Sequence, residues 1–294
     1  MSTGTRLAGW AFAGPALIVI ALFFAVPVLA ALALSLTDFD IYALSDLDNL
    51  RFVGLGNYLD LLQNPLFWKA LGNTLYFVVV GVPLSIVVSL GAALLLHSRL
   101  GHFRPFFRTA YFAPVVTTVV AVAVIWRYLF HTRYGLVNWA LSGLGIDPVD
   151  WLGDPHWAMP TIIGFAVWKN FGYNMIIFLA GLQAIPEDLY EAARIDGASR
   201  TRQFLHITLP MLGPVLLMVG ILTLAGYFQL FAEPYVMTRG GPLQSTVSVL
   251  YLMYEEGFKW WNLGNASAVA FLLFVLMTTI TSGLLWFARR RGAE

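Results

Sequence analysis

Long apolar runs bounded by charges set the pattern of this chain. Arg6 to Asp38 encloses the first run, Lys69 to His97 the second and Arg108 to Arg127 the third. Asp154 to Glu187 encloses the fourth, interrupted by Lys169 alone, Arg202 to Glu233 the fifth and Lys259 to Arg289 the sixth. Each holds close to the ~20 apolar residues that a helix needs to cross a bilayer. The pattern predicts an all-α polytopic membrane protein with six transmembrane helices, at about 10–36, 70–96, 108–130, 157–182, 207–232 and 261–288. The first run is roughly twice the 7–15 residues of a signal-peptide core, so Ala31-Leu32-Ala33 reads as part of a span rather than a cleavage site. No Ser- or Pro-rich linker, internal repeat or low-complexity tract divides residues 1–294, which read as one transmembrane domain.

Composition agrees. Hydrophobic residues make up 59% of the chain and charged residues only 11%, against about 25% charged in soluble domains. A net charge of +1 argues against a nucleic-acid partner, and without cysteine there is no disulfide or thiol chemistry. The distribution of sign says more than its sum. With both termini in the cytoplasm, the inside segments hold Arg6, Arg99, Arg104, Arg108, Arg194, Arg200, Arg202 and Arg289, Arg290 and Arg291 against five acids. Such a Lys/Arg excess marks the cytoplasmic side. Seven tryptophans (Trp68, Trp126, Trp139, Trp151, Trp157, Trp260 and Trp261) fall near the opposite boundary, where an aromatic belt is expected.

One cytoplasmic segment, 186–210, is polar and bears both signs of charge. Pro186, Glu187 and Asp188 suit the first turn of a helix. Gly197 supplies the turn that ends it, and a second helix runs from about Ser199 into the fifth span. The spacing is E-A-A-x-x-D-G-A-x(5)-F-x-x-I-x-L-P, carried by Glu191, Ala192, Ala193, Asp196, Gly197, Ala198, Phe204, Ile207, Leu209 and Pro210. This closely resembles the cytoplasmic coupling loop of ABC importer permeases, above all the carbohydrate branch of the maltose/glycerol-phosphate type. Phe52-Val53-Gly54-Leu55-Gly56-Asn57-Tyr58, Asn73-Thr74-Leu75-Tyr76 and Tyr235 to Pro242 are similar to less specific stretches of the same permeases.

The resemblance implies a helix–Gly–helix unit seated in a groove of an ATPase, with Glu191, Ala192, Ala193, Asp196, Gly197 and Ala198 at the contact. It implies two copies of an ATP-binding-cassette ATPase, a second related permease and an extracytoplasmic sugar-binding protein as partners, in the cytoplasmic (inner) membrane of a bacterium. ATP and Mg would be bound by the ATPase, since this chain has no G-x-x-x-x-G-K-[ST] loop. No cofactor, metal site or catalytic residue is expected in the chain itself.

Polar residues within spans are functional candidates by default. Lys169, Asn170, Tyr173 and Asn174 share one face of the fourth span, an arc of about 140° at 100° per residue. Tyr227 and Gln229 belong to the fifth, with Thr223 on the face of Tyr227 and Gln229 opposite. Donors, acceptors and an aromatic plate suit a sugar. The alternative for Lys169 is a structural lysine paired with a carbonyl or with a carboxylate of the second permease. The histidines His97, His102, His131, His156 and His206 show no metal-ligand spacing. An importer of a polyol, a glycerol phosphodiester or phosphate, or an amino acid is the nearest rival, and a passive channel or structural subunit is a rival of another class. A membrane-embedded enzyme lacks the paired acids or nucleophile–base pair it would need.

Overall fold

The computed structural model describes residues 3–98 and 104–291. Arg99 and Glu294, two of the charges behind the predicted orientation, and His102 lie outside the described residues. Among the described residues the secondary structure is helical, with one isolated antiparallel bridge between Thr37 and Phe52. The helices used below are α1 (Thr3–Ile20), α2 (Val26–Ser35), α3 (Pro65–Ser98), α4 (Arg104–Val116), α5 (Val119–Leu129), α6 (Leu136–Ser142), α7 (Pro155–Gln183), α8 (Glu187–Ile195), α9 (Arg200–Gln203), α10 (Gly213–Phe228), α11 (Ala232–Met237) and α12 (Leu263–Arg291). The chain forms two compact units, Met1–Phe67 with Leu252–Leu276, and Trp68–Tyr251 with Met277–Glu294.

In the first unit, α1 and α2 join through a π turn, Ala21–Ala25, into one apolar rod. None of its most apolar window is buried within this chain, so its Phe12, Phe23 and Phe24 side chains are left for lipid or another subunit. The loop after it is tied by residues of the F-V-G-L-G-N-Y stretch. Asn57 donates from Nδ2 to the carbonyls of Ser35 and Thr37, both at 2.8 Å, and Tyr58 shares a 2.7 Å hydrogen bond with Ser35. The amide of Gly264, at the start of α12, donates to the Phe39 carbonyl at 2.9 Å.

The second unit is built around α7. Asp154 caps this helix by accepting from the His156 amide at 2.8 Å, and Pro155 occupies its first turn. The bonds from His156, its backbone amide first, hold the Asp154 carboxyl below the usual carboxylate range. Helices α3, α4 and α10 pack on α7 over an apolar core that includes Leu90, Ala93, Met175, Phe178, Leu182, Leu212 and Val219. At Gly172 the backbones of α7 and α4 nearly touch, and a Cβ there would lie 2.0 Å from the Tyr111 carbonyl oxygen. Trp126 and Trp151, expected in an aromatic belt, are half-buried. Trp126 stacks on Phe130 at 4.9 Å, and Trp151 donates from Nε1 to Asn138 at 2.9 Å.

The third and fifth apolar runs depart from the simple spans expected at 108–130 and 207–232. Helices α4 and α5 meet at 100°, and the helical stretch 200–211 meets α10 at 66°. Proline explains both breaks. Pro114 precedes the β-branched run Val115 to Val120, and Thr118 is extended. In the fifth run Pro210 and Pro214 each remove an amide donor from the helical ladder. Among the described residues four helices are long and apolar enough to cross a bilayer, and up to six spans result if each bent pair counts as one.

A broken helix in a membrane needs new partners for the backbone groups it frees. Lys169 supplies them at the α4–α5 break: its Nζ donates to the carbonyls of Pro114 at 3.1 Å and Thr117 at 3.0 Å. The side chain is buried, 9% exposed. Loss of the ammonium in Lys169→Met should destabilise the fold by about 1–3 kcal/mol, the cost of an unsatisfied buried polar group, whereas Lys169→Arg keeps donors in reach. Gly172→Ala should cost about 1–3 kcal/mol through overpacking against Tyr111. Gly164→Ala, with open space beside it, is the matched control. Thermal unfolding of the purified variants checks all four, and a Gly172→Ala midpoint equal to that of Gly164→Ala would remove the close-approach argument.

Candidate functional site

Two sites emerge in the second unit, a cavity inside the helix bundle and an exposed helix at one end of it.

The cavity, about 300 Å³, opens beside the middle of α7. Asn170, Tyr173 and Asn174 line it from α7, Thr223 and Tyr227 from α10, and Gln229 and Glu233 from the segment that follows. Phe77 of α3 and Val115, just before the α4–α5 break, complete the apolar wall. The Phe77 and Tyr227 rings lie 4.9 Å apart and tilted.

A buried polar network lies against this wall. Asn174 donates from Nδ2 to Thr223 at 2.9 Å and to Ser85 at 3.3 Å, which ties α7 to α10 and α3. Hydrogen bonds of this kind between membrane helices average about 0.6 kcal/mol and reach about 1.7. Their larger effect here is to fix which faces of three helices meet. Asn170 returns its Nδ2 to the Ala166 carbonyl at 3.0 Å. The Tyr227 hydroxyl is buried and has no hydrogen-bond partner of good geometry, although Ser85 and Asn170 lie beside it. An unsatisfied buried hydroxyl at the edge of a cavity is available to a ligand.

Five of the six pathway residues expected from sequence therefore line one cavity: Asn170, Tyr173, Asn174, Tyr227 and Gln229. The sixth, Lys169, does not. It sits at the edge of the predicted arc, and its ammonium is drawn away to the Pro114 and Thr117 carbonyls, as in the structural alternative. Gln229 also differs from its expected place on the opposite face. Helix α10 ends at Phe228, and Gln229 turns out of the helix with φ −90° and ψ 26°, which returns it to the cavity. Phe77 and Glu233 were not singled out as pathway residues. A lone aromatic in a uniformly apolar run carries no sequence signal, and Glu233 reads as the charge that ends a span.

The exposed site is α8 and the turn after it. Gly197 has φ +74°, a conformation that favours glycine. The Ala198 amide donates to the Ala193 carbonyl at 2.8 Å and the Gly197 amide to the Arg194 carbonyl at 3.1 Å. This is the paired closure of a Schellman motif. Ser199 then caps α9, accepting from the Arg202 amide at 3.3 Å, and Gln203 donates to the Ala198 carbonyl at 3.0 Å. The two helices are thus locked across the glycine.

The two faces of this unit differ. Tyr190, Phe204 and Ile207 pack against the core of α3, α7 and α10, and the Tyr190 hydroxyl bonds Thr208 at 2.8 Å. Glu191, Ala192, Asp196 and Gly197 are exposed, with Ala193 and Ala198 half-buried. Ile195 is 87% exposed, an apolar side chain with nothing of its own chain to cover it. Glu191 and Arg194 approach to 3.8 Å at the surface.

The other two stretches that carried the resemblance have structural duties in this unit. Asn73 donates from Nδ2 to the carbonyls of Gln244 at 2.8 Å and Val247 at 2.9 Å, and Thr74 accepts from the Val249 amide at 3.0 Å. They fasten the segment after Tyr235 to Pro242 onto α3. Within that stretch Thr238 donates to the Pro234 carbonyl at 3.1 Å.

The chain is similar to known transport proteins over nearly its whole length. A lactose transport system permease protein of Rhizobium radiobacter is 38% identical over 96% of this chain and 94% of its own. A trehalose/maltose transport system permease protein of Thermococcus litoralis is 42% identical over 78% of this chain and 77% of its own. In fold, the chain matches a bacterial ABC transporter involved in the import of the acidic polysaccharide alginate, with a TM-score of 0.82 at 23% identity, over 98% of this chain and 96% of that one. The family of binding-protein-dependent transport system inner membrane components matches residues 1–292, and the chain belongs to it.

Proposed function

We propose that this chain is one membrane-spanning half of an ATP-driven importer, and that it passes a neutral sugar or oligosaccharide through the cavity beside α7. The relatives named for lactose and for trehalose and maltose support the substrate class. The cavity supports it too, with amide, phenol and aromatic groups and no Lys or Arg in its lining. That lining speaks against glycerol phosphodiesters and phosphates, which need cationic partners.

The observation that carries the coupling role is the two-faced α8–α9 unit. Its exposed face, with Glu191, Ala192, Asp196 and Gly197, is the surface for the groove of an ATPase. Small Ala192 and Ala193 let a partner backbone come close, and Ile195 gives an apolar anchor. Its inner face, through Tyr190, Phe204 and Ile207, grips the same helices that wall the cavity. A displacement of α8 by ATP-driven closure of an ATPase dimer reaches α7 and α10 directly, and the cavity changes the side to which it opens. A binding protein docking outside must favour the same state, because coupling is a difference in free energy shared by both ligands.

One chain carries one such unit, so two ATPases require a second permease for the other contact. We assign that place to a related but different permease, with ATP and Mg held by the ATPase subunits. In this reading both termini and α8 face the cytoplasm, and the chain itself is not an enzyme.

Gentle purification from the native membrane tests the assignment. An ATPase, a sibling permease and an extracytoplasmic binding protein should accompany the chain, and inside a reconstituted vesicle the complex should take up sugar only with ATP. Recovery of the chain alone, or uptake without ATP, would return the reading to a channel or structural subunit. Gly197→Pro forces φ to about −65° where the turn holds +74°. It should leave insertion intact and abolish the stimulation of ATPase activity by sugar-loaded binding protein. Normal stimulation in that variant would refute the hinge.

A further inference from the structure

Helices α4 and α7 nearly touch at Gly172, but that contact does not extend to their ends. Between Pro105 and Gln183 a groove of about 440 Å³ opens, roomier than the cavity beside α7, and α3 closes it with Leu96 and His97. Its apolar lining, Leu96 and Leu179, is buried or half-buried, whereas its polar lining, above all Arg108, Thr109 and Gln183, is exposed. The groove stands at one end of two spans: the apolar stretch of α3 ends at His97 and that of α7 at Gln183. Gln183 is followed directly by the turn into α8. The connection from His97 to Arg108 bears Arg99, Arg104 and Arg108 and no acid. Among the described residues the ion pairs are Asp154 with His156, Glu191 with Arg194 and Glu255 with Lys259, so the Arg108 guanidinium has no carboxylate partner there. Next to the groove in sequence, the side chains of Leu95 and Phe106 are exposed.

We propose that this groove binds the headgroup of an anionic phospholipid from the leaflet on the α8 side. An arginine keeps its charge in a protein whatever its surroundings, and its planar fork donates two parallel hydrogen bonds to phosphate oxygens. A basic pocket between membrane helices, at the level of the headgroups, is the kind of place that holds such lipids. The neighbouring groups match the rest of the molecule. The Thr109 hydroxyl already donates to the Pro105 carbonyl at 3.0 Å, so it is left to accept, and a glycerol headgroup offers hydroxyls to it. Gln183 brings an amide that donates to phosphate or ester oxygens. Leu96 and Leu179 meet the glycerol backbone, and Leu95 and Phe106 offer apolar surface to the acyl chains. That apolar surface favours a lipid over a soluble anion, which would lose water against it without gaining an apolar contact. A lipid seated there touches α3, α4 and α7 together, just before the turn into α8. The proposal rests on the chain being a membrane component and is independent of the sugar reading.

Native mass spectrometry of the chain with the subunits that accompany it counts bound lipids and shows that each variant is assembled. The probes are phosphatidylglycerol, zwitterionic phosphatidylcholine and inorganic phosphate. The wild type should hold phosphatidylglycerol about tenfold more tightly than phosphatidylcholine. Arg108→Gln should erase that preference, and Arg108→Lys, which keeps the charge, should retain part of it. Gln183→Trp fills the groove from α7 and should displace the lipid without touching the arginine. Arg290→Gln removes the same charge from the exposed end of α12, outside the groove, and should leave the preference as it was. Inorganic phosphate should not compete. Equal affinity for the two lipids, or an equal loss in Arg108→Gln and Arg290→Gln, would overturn the site and leave only the general attraction of anionic lipid for basic residues. Competition by inorganic phosphate would overturn it in favour of a soluble anion. Release of another subunit from Arg108→Gln, with lipid binding unchanged, would overturn it in favour of a subunit contact.

Discussion

In a bilayer, every backbone amide and carbonyl needs a partner inside the protein, because no water is there to supply one. A long helix such as α3 meets nearly all of this demand by itself, Pro83 withholding one amide from its ladder. A transporter needs more than uninterrupted rods, since irregular backbone is what shapes a space between them. The bent α4–α5 pair answers both demands at once. Its break places Val115 at the cavity wall, and the carbonyls it frees are bonded by a lysine from the adjoining helix. The charge on Lys169 is tolerated because those dipoles surround it, and the break is tolerated because that charge is there.

Helix α7 is the common element. One stretch of it, from Lys169 to Asn174, repairs the break, lines the cavity and ties three helices together. A few residues further on, Met175, Phe178 and Leu182 enter the apolar core on which Tyr190, Phe204 and Ile207 of the α8–α9 unit rest. The distance from the exposed Glu191 to the polar cavity is thus bridged by continuous side-chain packing. Close-packed interiors are hard to compress and transmit strain, so a displacement of α8, were a partner to impose one, would be felt at α7.

Much of this was legible from the chain alone, and for definable reasons. The six apolar runs follow from bilayer thickness, and the turn at Gly197 follows from a glycine placed after a helix that begins with Pro186, Glu187 and Asp188. The face formed by Asn170, Tyr173 and Asn174 follows from helical periodicity. What escaped depended on contacts between distant residues. Lys169 and Pro114 are 55 positions apart, and no periodicity within either segment reveals that one repairs the other. Gln229 was misplaced because the end of α10 at Phe228 has no glycine or proline to announce it. Asn57, Asn73 and Thr74 stood out only by resemblance; the structure gives them a physical task, fastening loops to helices, the asparagines by donating to backbone carbonyls and Thr74 by accepting from the Val249 amide.

The position of Lys169 also bears on how such a chain is made. Ribosomes deliver the segments in order, and a span carrying a lysine near its middle enters lipid poorly unaided, at a cost of about 2.5–3.5 kcal/mol on insertion scales. Here the oxygen acceptors at Pro114 and Thr117 precede the lysine by 55 and 52 residues. They are already synthesised when α7 emerges, so the helix that would be hardest to partition alone arrives where its partners are waiting. Reversing the order of those two segments would leave every final contact possible while removing the template that lets the lysine enter.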